Sequence, residues 1–303
     1  MTPPVRMKLS PEDSRRLLAI LGDDFSASTR SRRVSPWIGA VGLIAAAVTA
    51  VVLVQDSPPP SPASIMTLPS LAALRADCTE VPSAGSDLTG FAALRQEDEL
   101  LGIDVSMYQG VIDWPRVAHA GAAFVFIRAS EGTDIVDPCF GYNWQASAHV
   151  GLPRGAYHVF SPAGGADQAR AFLDVVEKQG MAAELPMVVD LEPSLSTSVP
   201  PQQLTAELQA WLDVVYARTG RHPIIYGDVS MLAALDGYPE AFDHAPLWIA
   251  AYDVATVDLP AGWPPWTFWQ LSDTGSINGI TGPVDVDRFS GDRSAFNTFI
   301  HNP

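Results

Sequence analysis

Eight short β-like runs recur along the last two thirds of the chain: GIDVS (102–106), AFVFIRAS (123–130), GAYHVF (155–160), PMVVDLE (186–192), PIIYGD (223–228), PLWIAAY (246–252), WTFWQLS (266–272) and PVDVDRF (283–289). Eight is the number of strands that closes a small barrel filled by its own side chains. Helical patterns separate several of the runs. PQQLTAELQAWLDVVYARTG sets Leu204, Leu208, Leu212 and Val215 on one face and stops at Gly220, and ADQARAFLDVVEKQG closes on Gly180. Strand and helix in alternation predict parallel βα units. The gaps before the last two runs hold only about a dozen residues, with Pro and Gly among them, barely enough for a helical crossover. The expected fold is therefore α/β: an irregular TIM-like β/α barrel with some late helices missing, over residues 100–303.

What precedes the barrel reads differently. Residues 37–54, WIGAVGLIAAAVTAVVLV, are 18 consecutive uncharged residues, close to the roughly 20 that cross a bilayer as a helix. Arg30, Arg32 and Arg33 stand just upstream, so the positive-inside rule puts a cytoplasmic tail at 1–36 and everything beyond 54 outside. A cleaved signal peptide has a shorter lead than these 36 residues, and a buried core helix has no need of such unbroken apolar character. A retained single-pass signal anchor in a bacterial cell membrane is the expectation, with secretion the outcome if the segment is cleaved. QDSPPPSPAS then opens a Pro-rich extracytoplasmic linker, expected over 55–99.

Beyond residue 54 the chain carries 11 basic and 30 acidic residues. A nucleic-acid partner, which needs clustered basic residues to displace counterions, is excluded. An anionic envelope polymer is repelled as well, so tethering rather than attraction has to keep the domain beside it. Only two cysteines occur, Cys78 and Cys139. In an oxidising space each has only the other as an intramolecular partner. A bridge would close a loop of about 60 residues; the alternative is two free thiols.

Nearly every β-like run ends in a polar or aromatic residue: Asp104, Tyr157 with His158, Asp190 with Glu192, Tyr226, Tyr252, Gln270 and Asp285. In a βα barrel the C-terminal strand ends share one mouth, where catalytic groups collect. Asp190 and Glu192, two residues apart, point to the same side of their strand. Two neighbouring carboxyls cannot both ionise cheaply, so one retains a proton near neutral pH, as a general acid must. Glycosidic cleavage uses such a proton, and aromatic side chains suit sugar rings. With His158 alone at a predicted strand end, a zinc site is a poor fit, although magnesium or calcium chemistry stays open at this point. Alternation turns His158 away from the mouth, into the core.

These blocks, together with FIRASEG (126–132) and WTFWQLSDTGSINGITGPVDVDRF (266–289), resemble in order and spacing those of glycoside hydrolase family 25, the Chalaropsis-type lysozymes, from Gly102 to Phe289. The resemblance implies a muramidase: hydrolysis of the β-1,4 bond between N-acetylmuramic acid and N-acetylglucosamine in peptidoglycan glycan strands, with no cofactor and no metal. It implies Glu192 as general acid, Asp190 assisting through the substrate N-acetyl group or as nucleophile, and Asp104 and Asp285 completing the acidic set. Tyr157 lines the sugar subsite, and Tyr226, Tyr252, Trp269 and Gln270 join it as strand-end residues. Two positions depart from the family pattern: Ser130 stands where Thr is frequent and Asp287 where Asn is frequent, the latter adding a charge near Asp285. A monomer is expected. The competing reading is a catalytically inactive, membrane-tethered peptidoglycan-binding protein, which would keep the aromatic side chains but need no proton donor.

Overall fold

The computed structural model describes residues 70–78, 88–96, 98–192, 199–235 and 242–301. The anchor expected over 37–54, the tail before it and the Pro-rich start of the linker lie outside the described residues. Among the described residues no helix is long and apolar enough to cross a membrane.

The strands are β1 (Thr89–Gly90), β2 (Leu101–Val105), β3 (Val125–Glu131), β4 (Ile135–Val136), β5 (Arg154–Val159), β6 (Val188–Leu191), β7 (Ile224–Asp228), β8 (Leu247–Ala250), β9 (Phe268–Ser276) and β10 (Val284–Phe289). The helices are α1 (Leu71–Asp77), α2 (Trp114–His119), α3 (Phe140–His149), α4 (Gly165–Lys178), α5 (Pro201–Thr219), α6 (Val229–Ala234) and α7 (Arg293–His301). Eight strands, in the order β2-β3-β5-β6-β7-β8-β9-β10 and back to β2, close a barrel. β1 adds to β9 and β4 to β3. Each of the eight runs read from sequence supplies one barrel strand.

Strand direction departs from the sequence reading at one place. The barrel strands β2, β3, β5, β6, β7, β8 and β9 pair in parallel, but β10 is antiparallel to both β9 and β2. The reason is length: residues 277–283 are too few for a crossover that returns to the far end of the barrel, so the chain turns back on itself. Asp285 consequently reaches the mouth from the start of its strand, not from its end. It lies directly opposite Asp104 in register.

Alternation sorts the side chains into two cores. Phe126, Tyr157, Val188, Ile224, Trp248 and Phe268 fill the barrel interior. Ile103, Ile127, Val189 and Ile225 face outward and pack with Trp144, Phe172 and Trp211 of the helical layer. Gly102 shows how tight the interior is: a Cβ there would come within 2.4 Å of the Phe124 ring. α5 follows the predicted face, burying Leu204, Leu208, Leu212 and Val215, and Gly220 ends it in the left-handed conformation at φ 72°.

Residues 70–99, assigned from sequence to the linker, belong to the folded unit wherever they are described. Ser70 caps α1, Leu74 is buried, and Cys78 Sγ is bonded to Cys139 Sγ at 1.99 Å across 61 residues. A loop of that length carries up to about 4 kcal/mol in the chain-entropy picture, less what residual unfolded-state structure removes. Cys139→Ser is therefore expected to lower the unfolding free energy by roughly 2–3 kcal/mol, read as a shift in the guanidinium midpoint. An unchanged midpoint would show that the bridge constrains nothing.

Candidate active site

Inner-facing positions at one end of the barrel bring the predicted acids together. Asp104 of β2 and Asp190 of β6 are each 6% exposed, and Asp285 of β10 and Glu192, just past β6, are half-buried. Gln270 of β9 is their hub. Its Oε1 accepts from the Tyr226 hydroxyl (2.8 Å) and the Tyr252 hydroxyl (2.5 Å), which turns its amide nitrogen toward the acids. That nitrogen donates to Asp104 Oδ2 at 2.6 Å and to Asp285 Oδ2 at 3.4 Å. The Tyr226–Gln270–Asp104 chain thus fixes which oxygens of the cluster are already engaged.

Below the acids lies an aromatic floor. Trp248 of β8 stacks on Phe126 at 4.4 Å, with Tyr226 and Tyr157 edge-on at 4.6 and 6.5 Å. The Trp248 indole donates to Asp287 Oδ1 at 2.9 Å, while Asp287 Oδ2 is buried without a hydrogen-bond partner among the described residues. Asp190 Oδ1 is a second such orphan. Exposed apolar side chains mark the rim: Tyr108, Ile135, Val136, Val229, Tyr252 and Val254 sit on segments following β2, β3, β7 and β8. Among the described residues no group of three or more His, Cys, Asp or Glu is arranged to hold a metal ion.

Burial is the leading cause of every acid shift. The Asp104 carboxyl is raised well above the usual range by desolvation, then by the like charges of Asp285 and Asp287. Asp190 is raised well above it by desolvation, then by Glu192. Glu192 is raised by desolvation, then by Asp228 and Glu131. Asp285 is pushed up to about 7 by desolvation, with Asp273 and Glu192 behind it. Asp287 and Asp285 repel each other as expected from their spacing, the Asp287 charge bears on Asp104 as well, and the Asp287 carboxyl is itself raised by burial and then by Asp285.

Several residues stand elsewhere than the mouth. Trp269, assigned to the sugar subsite from its place at a strand end, is on the opposite face of β9 from Gln270. It packs outside the barrel with Leu247 and Ile249, and its indole donates to the Ala251 carbonyl at 2.7 Å. His158 is fully buried behind β5. Gln168 donates to the Ser161 and Ala163 carbonyls, so its Oε1 is left to accept from His158 Nε2–H at 3.2 Å, and His158 Nδ1 accepts from the Ser130 hydroxyl at 2.9 Å. Burial lowers this imidazole to about 4. The sequence reading gives Arg128 no role and takes Trp248 as a core side chain, which its burial bears out. Arg128 lies two residues after Phe126 on β3, and that spacing alone places it on the inner face.

The profile of the family described as Glycosyl hydrolases family 25 matches residues 103–280, more than half of the chain. This chain belongs to glycosyl hydrolases family 25. The matched range contains Asp104, Asp190 and Glu192 and ends before Asp285. Among relatives, the Escherichia coli protein YegX is 42% identical over 207 residues, spanning 66% of this chain and 72% of its own. Lysozyme M1 of Streptomyces globisporus is 33% identical over 209 residues, covering 66% of this chain and 71% of that protein. In three dimensions the bacterial lysozyme from Streptomyces coelicolor superimposes with a TM-score of 0.62 at 31% identity, over 68% of this chain and 99% of that one. Membership makes this family 25 protein a glycoside hydrolase, and the barrel described above is the part the relatives share.

Proposed function

We propose that the barrel is a muramidase that cleaves the β-1,4 bond between N-acetylmuramic acid and N-acetylglucosamine in peptidoglycan. The observation that carries this reading is the β6 pair: Asp190 buried with an unpartnered oxygen, and Glu192 half-exposed above it on the same side of the strand. Glu192 is the general acid. It is raised toward the working range and accessible enough to meet a glycosidic oxygen. Asp190 Oδ1, without a hydrogen-bond partner among the described residues, accepts the acetamido N–H and so assists the N-acetyl oxygen in attacking the anomeric carbon. Gln270 aligns Asp104 and Asp285, and Asp285, the more exposed of the two and raised only to about 7, supplies negative charge beside a developing oxocarbenium ion. Tyr157 borders the subsite above the Trp248 floor.

The setting proposed is the outer side of a bacterial membrane, with residues 37–54 as anchor. The Cys78–Cys139 pairing is in keeping with an oxidising compartment. The test is to incubate the full-length chain in detergent with peptidoglycan, reduce the products with borohydride and identify the reduced sugar. Reduced muramic acid is the expected product. Reduced glucosamine overturns the bond assignment, and binding without any new reducing ends returns the domain to a carbohydrate-binding role.

A further inference from the structure

Trp269 packs outside the barrel, and there it helps to line a cleft of about 540 Å³ that the mechanism above does not use. Register pairs it with Arg288 of β10, whose guanidinium carbon stands 5.0 Å from the centre of the Trp269 ring. Trp266, half-buried just before β9, meets Trp269 edge-on at 5.7 Å and lines the same cleft. Arg288 is ion-paired to Glu99 at 3.1 Å, while its Nε is buried without a hydrogen-bond partner among the described residues. Asp98 and Asp292 also line the cleft and are exposed. Glu99 precedes β2, Trp266 precedes β9, and Asp292 follows β10, which runs the other way. The cleft therefore lies toward the end of the barrel opposite Asp104 and Asp285, with the wall of β9 and β10 between them.

An indole flanked by carboxylates and a guanidinium suits a sugar ring. The C–H face of a pyranose packs on the aromatic surface, carboxylates accept from its hydroxyls, and arginine donates to an acetamido oxygen. Charge narrows the choice further. With 11 basic and 30 acidic residues beyond residue 54, the domain repels an anionic ligand, whereas an N-acetylated sugar ring is neutral. A wholly apolar partner would strip water from Asp98, Glu99 and Asp292 and return no hydrogen bond, a penalty that sugar hydroxyls avoid. We propose that this cleft is a second, non-catalytic glycan site, which holds a β-1,4-linked strand of N-acetylated amino sugars while another stretch of the polymer is cut at the mouth. The choice of polymer rests on the muramidase reading. Two contacts to one polymer raise the apparent affinity through effective concentration, so the site bears on insoluble peptidoglycan and not on short soluble glycans.

The test uses the full-length chain in detergent, with fluorine-labelled tryptophan as reporter and the hexamer of N-acetylglucosamine as probe. The Trp266 resonance, identified by its absence from Trp266→Ala, is expected to shift on titration. Trp266→Ala and Ala255→Leu, the second adding bulk at an exposed position of the cleft, should bind insoluble peptidoglycan about tenfold more weakly and cleave a short soluble glycan at the native rate. Ala255→Leu leaves Trp266 on Trp269, so its result stands even where Trp266→Ala folds poorly. An unmoved Trp266 resonance, or native binding to peptidoglycan by Ala255→Leu, overturns the proposal and leaves the muramidase reading intact. Loss of soluble-glycan cleavage in Ala255→Leu in step with binding overturns it too, since the cleft would then serve the mouth. A native chain that releases no reducing ends from peptidoglycan overturns the muramidase reading, and the Trp266 resonance still decides this site.

Discussion

Glu192→Gln is expected to lower the rate of peptidoglycan hydrolysis by about 10²- to 10⁴-fold, the usual effect of removing a positioned general acid, while leaving the melting temperature nearly unchanged. Glutamine has the size and shape of the acid, and the side chain is only half-buried, so packing gives little reason for a large loss of stability. What it lacks is a proton to give to the leaving oxygen. The variant has a second signature. The Glu192 charge is the leading like-charge contribution to the raised Asp190 carboxyl. Without it, Asp190 should ionise at lower pH, visible in the carbonyl stretch of an isotope-edited infrared titration. A variant that hydrolyses peptidoglycan at close to the native rate would remove Glu192 from the acid's role. A shifted Asp190 with the rate intact would make the pair a matter of electrostatics alone.

The strands of this barrel were legible because β-branched and aromatic runs bounded by Pro and Gly have few alternatives in a chain that must bury both faces of a sheet. Their directions were less so, since side-chain alternation reads the same from either end. The signal for β10 lay in the short connection 277–283, and it was read as a lost helix rather than as a reversal. Asp285 nevertheless reached the mouth, because an antiparallel strand brings its first residues to the end where its neighbours have their last. Trp269 shows the opposite: nearness to a strand end says less than parity, because Gln270 next to it can face the acids only if Trp269 faces away. α1 escaped notice because seven residues are too short to establish a helical period. Its attachment depends on Leu74 and on a disulfide to a residue 61 positions away. The spacing of Arg128 from Phe126 puts it on the inner face, but nothing in the sequence marks an isolated arginine as functional. Only the fold shows that its partner, Asp137, is buried.

The buried acids also set how stability depends on pH, and Asp287 gives the clearest test of that. Asp104, Asp190, Asp285 and Asp287 all have folded-state values raised above those of the unfolded chain. Their stabilising contribution is full below the unfolded value of about 4 and is lost as pH rises through the folded one. For Asp285, raised from 3.8 to about 7, the loss between those values is on the order of 4 kcal/mol. His158 works the other way. Lowered from 6.5 to about 4, it contributes stability above pH 6.5 that is lost as pH falls toward 4. Above pH 6.5 the imidazole is neutral in both states, so only the carboxyls act, and the domain should become less stable with each further rise in pH. Asp287→Asn keeps an oxygen for the Trp248 indole and removes one ionisable group from the barrel interior. The slope of unfolding free energy against pH should become shallower, by up to about 1.4 kcal/mol per pH unit, wherever Asp287 still holds its proton in the folded state. The variant should be the more stable protein at the alkaline end. The relief should extend beyond position 287, because the Asp287 charge also raises Asp104, and a neutral neighbour lets that acid ionise at lower pH. Parallel stability curves for the two proteins above pH 6.5 would mean that Asp287 does not hold its proton inside the barrel. The cost of burying the orphan Oδ2 would then have to be met by a structural water rather than by protonation.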